Sequence, residues 1–447
     1  MREALFEKYP VPKAVMALAV PTILGMLVTV IYNMADTFFV GQTGDPNQVA
    51  AVSLTMPVFL LFMAFGNIFG IGGGTYISRL LGAKDYEKAK SVSSFSYFAC
   101  IGVGILSGIA LLIFMKQILL LAGTSRNTYG FSKDYLIIIA IGAPFVCLQH
   151  AMGQIIRAEG AAKEAMIGMM IGTVLNIILD PLMILSMKMG VVGAAIATVL
   201  GNISSVVYYI YYITKRKTVL SISVKHFKVS KEIIGSITAI GIPASINNVL
   251  MSASQMILNN FAAGYGDTVI AALGIANRIV IFPGMLMIGL AQGIQPFIGY
   301  NFAACNYKRM NHSIKFASII SVIGGLAFVA FFFLGAESLI RAFIDNSEVV
   351  ALGSRFFKIM TVTIPILGIQ FILMNTLQAL GKTKSSLLLS VCRQGVAFIP
   401  ALIIGNILFK LDGVVWAQPV ADLFTVILSI FLYLKIWSSL KVQELAY

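Results

Sequence analysis

The chain has 447 residues, 58% of them hydrophobic and only 11% charged, with a net charge of +14 and a mean hydropathy of +0.91. Water-soluble domains run at about 45–50% apolar with about a quarter of residues charged. The composition therefore excludes a soluble enzyme, a disordered scaffold and a secreted disulfide mini-domain, and names the bilayer as the solvent. Four cysteines (Cys100, Cys147, Cys305, Cys392) stand singly in apolar runs, and His150, His226 and His312 lie far apart. No metal, redox or cofactor chemistry is expected from that spacing.

In chain order, windows of roughly 20 apolar residues predict twelve membrane spans: 14–40, 49–80, 93–115, 134–157, 165–187, 191–214, 233–263, 269–303, 312–334, 351–380, 385–409 and 413–437. The charged first thirteen residues run straight into the first span with no small-residue cleavage site, which predicts a span that is kept. With the N-terminus inside, 22 Lys and Arg fall in inside segments and 8 in outside segments, while Arg278 and Arg393 fall within spans. This bias places both termini in the cytoplasm. It also accounts for the positive charge without nucleic acid.

Ionisable residues at membrane depth are costly and mark function by default. They are few: Asp36, Asp180, Asp422, Arg278 and Arg393. Asp36 lies near the outer end of span 1 and Asp180 about seven residues from the outer end of span 5. Asn176 lies one turn deeper on the same helix face as Asp180. Thr198 enters from outside on span 6 and Tyr135 opens span 4. These five polar groups share the outer half of the membrane, within about 10–15 Å of its edge at a 1.5 Å rise per residue. Two carboxylates in one low-dielectric site need a proton or a cation between them. Asn176 and Thr198 add neutral oxygens of the kind hard cations accept, so Na⁺ at Asp36, Asn176, Asp180 and Thr198 is one reading and protonation the other. The plainer alternative is that the acids only tie neighbouring helices together. Pro181 removes the hydrogen bond to the Ile177 carbonyl, a kink or an ion-facing oxygen. Asp422 with Arg278 and Arg393 reads as a structural ion-pair group.

The asparagines and glutamines of the later spans divide between cavity polar groups and interhelical glue. Asn33, Gln255, Asn259, Asn277 and Gln292 are the substrate-cavity candidates, with Gln295 and Asn247 among the polar groups of the same spans. Gly72-Gly73-Gly74 reads as close helix packing, since no P-loop lysine pattern follows.

The basic loop at 215–232 is the longest polar connection, and the halves on either side repeat one another. Val49-Ala50-Ala51 and Ile270-Ala271-Ala272, Tyr86 and Tyr307, Pro144 and Pro365, and Gly160 and Gly381 all stand 221 residues apart. Pro21 and Pro243 are 222 apart, and the Gly190 and Gly413 segments 223. Six spans per repeat is an even number, so both halves enter the membrane in the same sense. The expected fold is thus an all-α membrane protein of twelve transmembrane helices. It would form two six-helix bundles related by a pseudo-twofold axis along the membrane normal. The expected lobes are 1–214 and 233–447, joined by 215–232. On the repeat, Asp36 falls on Leu258 and Asp180 near residues 401–403, so the acids belong to the N-lobe alone.

NMADTFFVG around Asp36, SRLLGAKDYEKAK after span 2, NIILDP around Asp180 and GVVGAAIATV around Thr198 resemble the multidrug and toxic compound extrusion (MATE) family, in its bacterial MepA-like branch. The resemblance covers essentially the whole chain. It implies a secondary antiporter, not an enzyme, exporting bulky and often cationic drugs against inward Na⁺ or H⁺ by alternating access. No cofactor is implied beyond that coupling ion. Asp36, Asn176, Asp180, Thr198 and Tyr135 resemble the N-lobe cation site of DinF-like members. The glutamate of span 7 in NorM-like members has Met251 in its place, which argues against a C-lobe Na⁺ site. Pro21 and Pro181 are the expected hinges. The expected setting is the bacterial inner membrane, with a monomer working on organic cations in the lipid bilayer. A lipid-linked sugar flippase on a related scaffold is the alternative, although only two arginines at depth offer charge for a pyrophosphate. A major-facilitator transporter lacks its basic loop signature here. A membrane-embedded enzyme lacks a nucleophile–base or metal constellation.

Overall fold

The computed structural model describes residues 3–344 and 346–445, and no strand occurs among them. The chain begins with α1 (Glu3–Glu7), α2 (Val11–Gly41), α3 (Pro46–Gly82), α4 (Tyr86–Ile113), α5 (Met115–Leu121) and α6 (Arg126–Ala158). It continues with α7 (Ala162–Asp180), a π turn over Pro181–Ser186, α8 (Val191–Lys215), α9 (Lys231–Ala263) and α10 (Asp267–Ala303). The last part holds α11 (Tyr307–Leu334), α12 (Ala336–Arg341), α13 (Ser347–Thr361), α14 (Ile364–Ala379), α15 (Thr383–Val391), a second π turn (Cys392–Val396) and α16 (Phe398–Leu445).

Side chains set where these helices start. Asp45 accepts from Asn47 N–H ahead of Pro46. Ser125 and Thr128 form a capping box on α6, and Asp85 and Asn306 cap α4 and α11. Each supplies an acceptor to a backbone donor that the helix leaves unpaired.

Ten helical stretches among the described residues are long and apolar enough to cross a membrane. α13 and α14, bent by 46° at the break between them, form an eleventh. The stretch Thr383–Leu440 is interrupted at Lys410 (φ 53°, ψ −130°), which divides it into two crossings and brings the total to twelve. The span expected at 351–380 is thus two helices. Their break precedes Pro365, which lacks an N–H and fits only the first turn of the new helix.

Contacts divide the chain into two units, one mainly Leu24–Ser245 and the other Phe6–Ile23 with Ile246 onward. Both cuts fall inside helices, α2 and α9, and the loop 215–232, expected as the linker, lies within the first unit. The reason is packing. In the first unit the start of α9 lies against α3 so closely that a Cβ on Gly72 would fall on the Ile237 carbonyl, and one on Gly241 on the Ile68 carbonyl. Ser245 Oγ also donates to the Ala64 carbonyl at 2.8 Å. In the second unit the start of α2 meets α10 in the same way, with Gly293 and Gly289 facing the backbone of Ala19 and Ile23. Phe6 there stacks on Tyr300 at 4.7 Å.

The repeat read from sequence is present in the backbone of the two units. Left-handed residues come in pairs 221 or 222 apart: Lys84 and Cys305, Gly160 and Gly381, Gly44 and Gly266, Lys188 and Lys410. The short helices α5 and α12 stand at the same offset. A Cβ on Gly104 would meet Pro144 Cα at 2.6 Å, and one on Gly325 would meet Pro365 Cα at 2.5 Å.

In the second unit Arg393 Nε donates to Asp422 Oδ1 at 2.8 Å, the side chains 10% and 5% exposed. Gln418 Nε2 adds a bond at 2.9 Å and the guanidinium lies over the Phe371 ring at 5.0 Å. Arg278, expected in this group, is exposed and shows no partner among the described residues. It lies on the face of α10 opposite Ala272 and Ala276, which are buried in the apolar cluster. Removing one partner of a buried pair leaves an uncompensated charge, at a cost of about 3–5 kcal/mol. Arg393→Met should therefore lower the melting temperature of the purified protein sharply. The double variant Arg393→Met with Asp422→Leu should recover most of the loss, because no lone charge remains.

Candidate functional site

Four helices of the first unit bring one polar cluster together. Gly172 and Gly201 let α7 and α8 cross at backbone contact, where an added Cβ would meet the opposite carbonyl oxygen at 2.5 and 2.8 Å. That crossing puts Asn176 and Asp180 of α7 beside Thr198 of α8. α6 packs on both helices and contributes Tyr135. The half of α2 beyond Leu24 contributes Tyr32 and Asp36, one turn apart on one face.

All five residues expected from sequence meet here. Asp180 is fully buried, and Asn176, Thr198 and Tyr135 are 2%, 4% and 7% exposed. With its amide turned to satisfy both ends, Asn176 donates to Asp180 Oδ2 at 3.0 Å and accepts from Thr198 N–H at 3.0 Å. Tyr32 Oη and Thr198 Oγ1 share a hydrogen bond at 3.3 Å. Tyr135 lies within electrostatic reach of Asp36, Tyr32 and Asp180. The two carboxylates feel one another directly.

Two atoms are left over. Asp36 Oδ1 and Asp180 Oδ1 are both shielded from solvent and both without a hydrogen-bond partner. A buried acceptor left unsatisfied costs about 1–3 kcal/mol, and more when charged. The chemistry open to such a pair is to take a proton or to share a cation. Among the described residues no group of three or more His, Cys, Asp or Glu could hold a metal ion. Pro181 follows Asp180 directly and starts the π turn, in which Met187 N–H reaches back five residues to the Leu182 carbonyl at 2.9 Å. The helix beyond Asp180 is thus already unwound from α geometry.

Tyr32 is the residue that sequence reasoning missed. Its spacing of four from Asp36 was the available signal. Among the described residues the second unit has no counterpart of the cluster. Leu258 and Leu402, which stand where the repeat would put Asp36 and Asp180, belong to one apolar core with Val269, Ala272 and Phe398.

The cavity candidates separate. Gln255 and Asn259 are exposed one turn apart and bonded to each other at 3.1 Å, while Asn277 and Gln292 are half-buried. The side chain of Asn33 lies outside the described residues. Gln295 is buried and donates to Gln378 at 3.0 Å, a tie between α10 and α14. Pro21 lies inside α2, which continues through it.

The sequence pattern of the MatE family matches residues 21–182 and 243–403. The chain is 39% identical over 418 residues to the multidrug export protein MepA of Staphylococcus aureus strain MSSA476, covering 93% of this chain and 92% of that one. It is 37% identical over 417 residues to MepA of Staphylococcus saprophyticus, with the same coverage. Among solved structures it is similar to the outward-facing conformation of a multidrug resistance MATE family transporter of the MOP superfamily. The TM-score there is 0.92 at 27% identity over 98% of each chain.

Proposed function

The chain belongs to the MatE family of membrane transporters, and on that premise we propose that it is a secondary antiporter exporting bulky, often cationic amphiphiles in exchange for inward Na⁺ or H⁺. The observation that carries the coupling is the pair of orphaned carboxylate oxygens on Asp36 and Asp180. An ion or proton arriving from outside neutralises the pair, and the surrounding helices repack. Asn176 holds Asp180 by a hydrogen bond, Thr198 ties Asn176 and Tyr32 together across α7, α8 and α2, and Tyr135 of α6 closes the buried cluster. The unwound turn at Pro181, with Pro21 on α2, supplies the movable backbone. Coupling needs only that ion and drug prefer different conformations, because a ligand shifts an equilibrium by its differential affinity. The setting is the bacterial inner membrane with both termini in the cytoplasm, and the working form is a monomer.

Purified protein in liposomes, loaded with a fluorescent organic cation and given separate Na⁺ and proton gradients, tests the reading. Movement of the dye driven by one of the two gradients is expected and names the ion. No movement under either gradient rejects antiport.

A further inference from the structure

The connection between α8 and α9 carries six cations, Lys215, Arg216, Lys217, Lys225, Lys228 and Lys231, and no acid. All six are exposed and none forms an ion pair among the described residues. Of the nearby acids, Glu232 is engaged by Lys88 at 2.5 Å and Glu87 by Lys90 at 2.6 Å, with Lys228 within electrostatic reach of Glu87, while Glu159 accepts from Tyr212 and from Thr218 of the loop itself. A segment that served only to orient the chain would need charge and nothing more. This one is fixed. Ser221 N–H donates to Ser93 Oγ at 2.9 Å and Ser94 Oγ donates to the Ser223 carbonyl at 2.8 Å. Phe227 stacks on Phe95 at 6.0 Å and meets Phe98 edge-on at 5.5 Å.

So held, the loop keeps Val224 and Val229 70% and 65% exposed among the cations. Both features are unfavourable in water: six like charges repel with Glu87 near Lys228 alone, and two valines stay wet. A surface of anionic headgroups relieves both at once, the phosphates meeting the cations and the apolar side chains entering the headgroup layer. Lys215 ends one membrane helix and Lys231 begins the next, so the loop has to stay within reach of that layer. We propose that residues 215–231 form a binding surface for anionic phospholipid.

The test uses the full chain with Trp416→Phe and Trp437→Phe, and Val224→Trp as reporter, in vesicles of zwitterionic phospholipid. Brominated lipid, either anionic or zwitterionic, is added in graded amounts and quenching of the reporter is followed. Brominated anionic lipid should quench at several-fold lower mole fraction than the zwitterionic one. Lys217→Gln, Lys225→Gln and Lys228→Gln together should bring the two lipids to near parity, since each cation near an anionic surface contributes to the attraction. Val229→Trp serves as reporter if the first variant does not fold. Equal quenching by the two lipids, or a preference untouched by the triple variant, overturns the proposal. So does binding of inorganic phosphate in detergent without any lipid preference, which assigns the loop to a soluble anion.

Discussion

Asp36→Asn should reduce gradient-driven export to the leak rate, about a hundredfold or more, and leave membrane insertion and fold unchanged. The substitution keeps the shape of the side chain and removes the charge that an ion or proton would neutralise. Its stability signature separates this account from a merely structural role. Asp36 Oδ1 is shielded and unpartnered, so the native carboxylate carries a desolvation cost that a neutral amide carries less of. The melting temperature of the variant should therefore equal or exceed that of the native protein while transport is lost. A variant that lost transport together with several degrees of stability would mark Asp36 as helix glue. Asp180→Asn should behave in the same way for transport and be less favourable for stability, because Asp180 already accepts a hydrogen bond from Asn176.

Gly241→Val should be among the most damaging single changes outside the polar cluster. At Gly241 and Gly72 the obstacle to a side chain is the backbone carbonyl of the opposite helix, Ile68 and Ile237 respectively, and a carbonyl cannot rotate aside as a side chain does. Overpacking in a well-filled core costs about 1–3 kcal/mol, and here two whole helices must separate. The expected result is a loss of monodisperse protein on purification, or a fall in melting temperature of many degrees. Gly235 supplies the control on the same helix, since an added Cβ there meets nothing within 4 Å. Gly235→Ala should be neutral, or stabilise by up to about 1 kcal/mol through helix propensity. Equal behaviour of the two variants would contradict the crossing.

The spans and the polar cluster were legible because membrane physics restricts what a sequence can do. Apolar windows of fixed length betray the helices, and carboxylates such as Asp36 and Asp180 stand out where charge is expensive. The offset of about 221 was legible for a related reason: a left-handed turn favours glycine, so Gly44 and Gly266, and Gly160 and Gly381, mark the same turns in both halves. What stayed hidden depends on three-dimensional facing. Tyr32 is one of many tyrosines until α2 is seen to turn it toward Thr198. Arg278 and Arg393 look alike in sequence, yet only the second faces Asp422. The exchange of helix starts between units follows from where glycines meet backbone, and a string of apolar letters does not announce its partner. The short helices α5 and α12 escaped because seven and six residues give too little periodicity to separate them from the spans they adjoin.

The central claim is that the Asp36–Asp180 pair is where the coupling ion acts, and equilibrium binding reports on it without the complications of transport. The affinity of the purified protein for a fluorescent organic cation would be measured against Na⁺ concentration and pH, for the native chain and for Asp36→Asn. Linkage between two sites is reciprocal and is commonly worth about 5–150-fold. The native chain should bind the cation about tenfold more weakly as Na⁺ rises or as pH falls, and Asp36→Asn should show a flat profile. A native chain indifferent to both ions, or a variant that keeps the native dependence, would contradict the account.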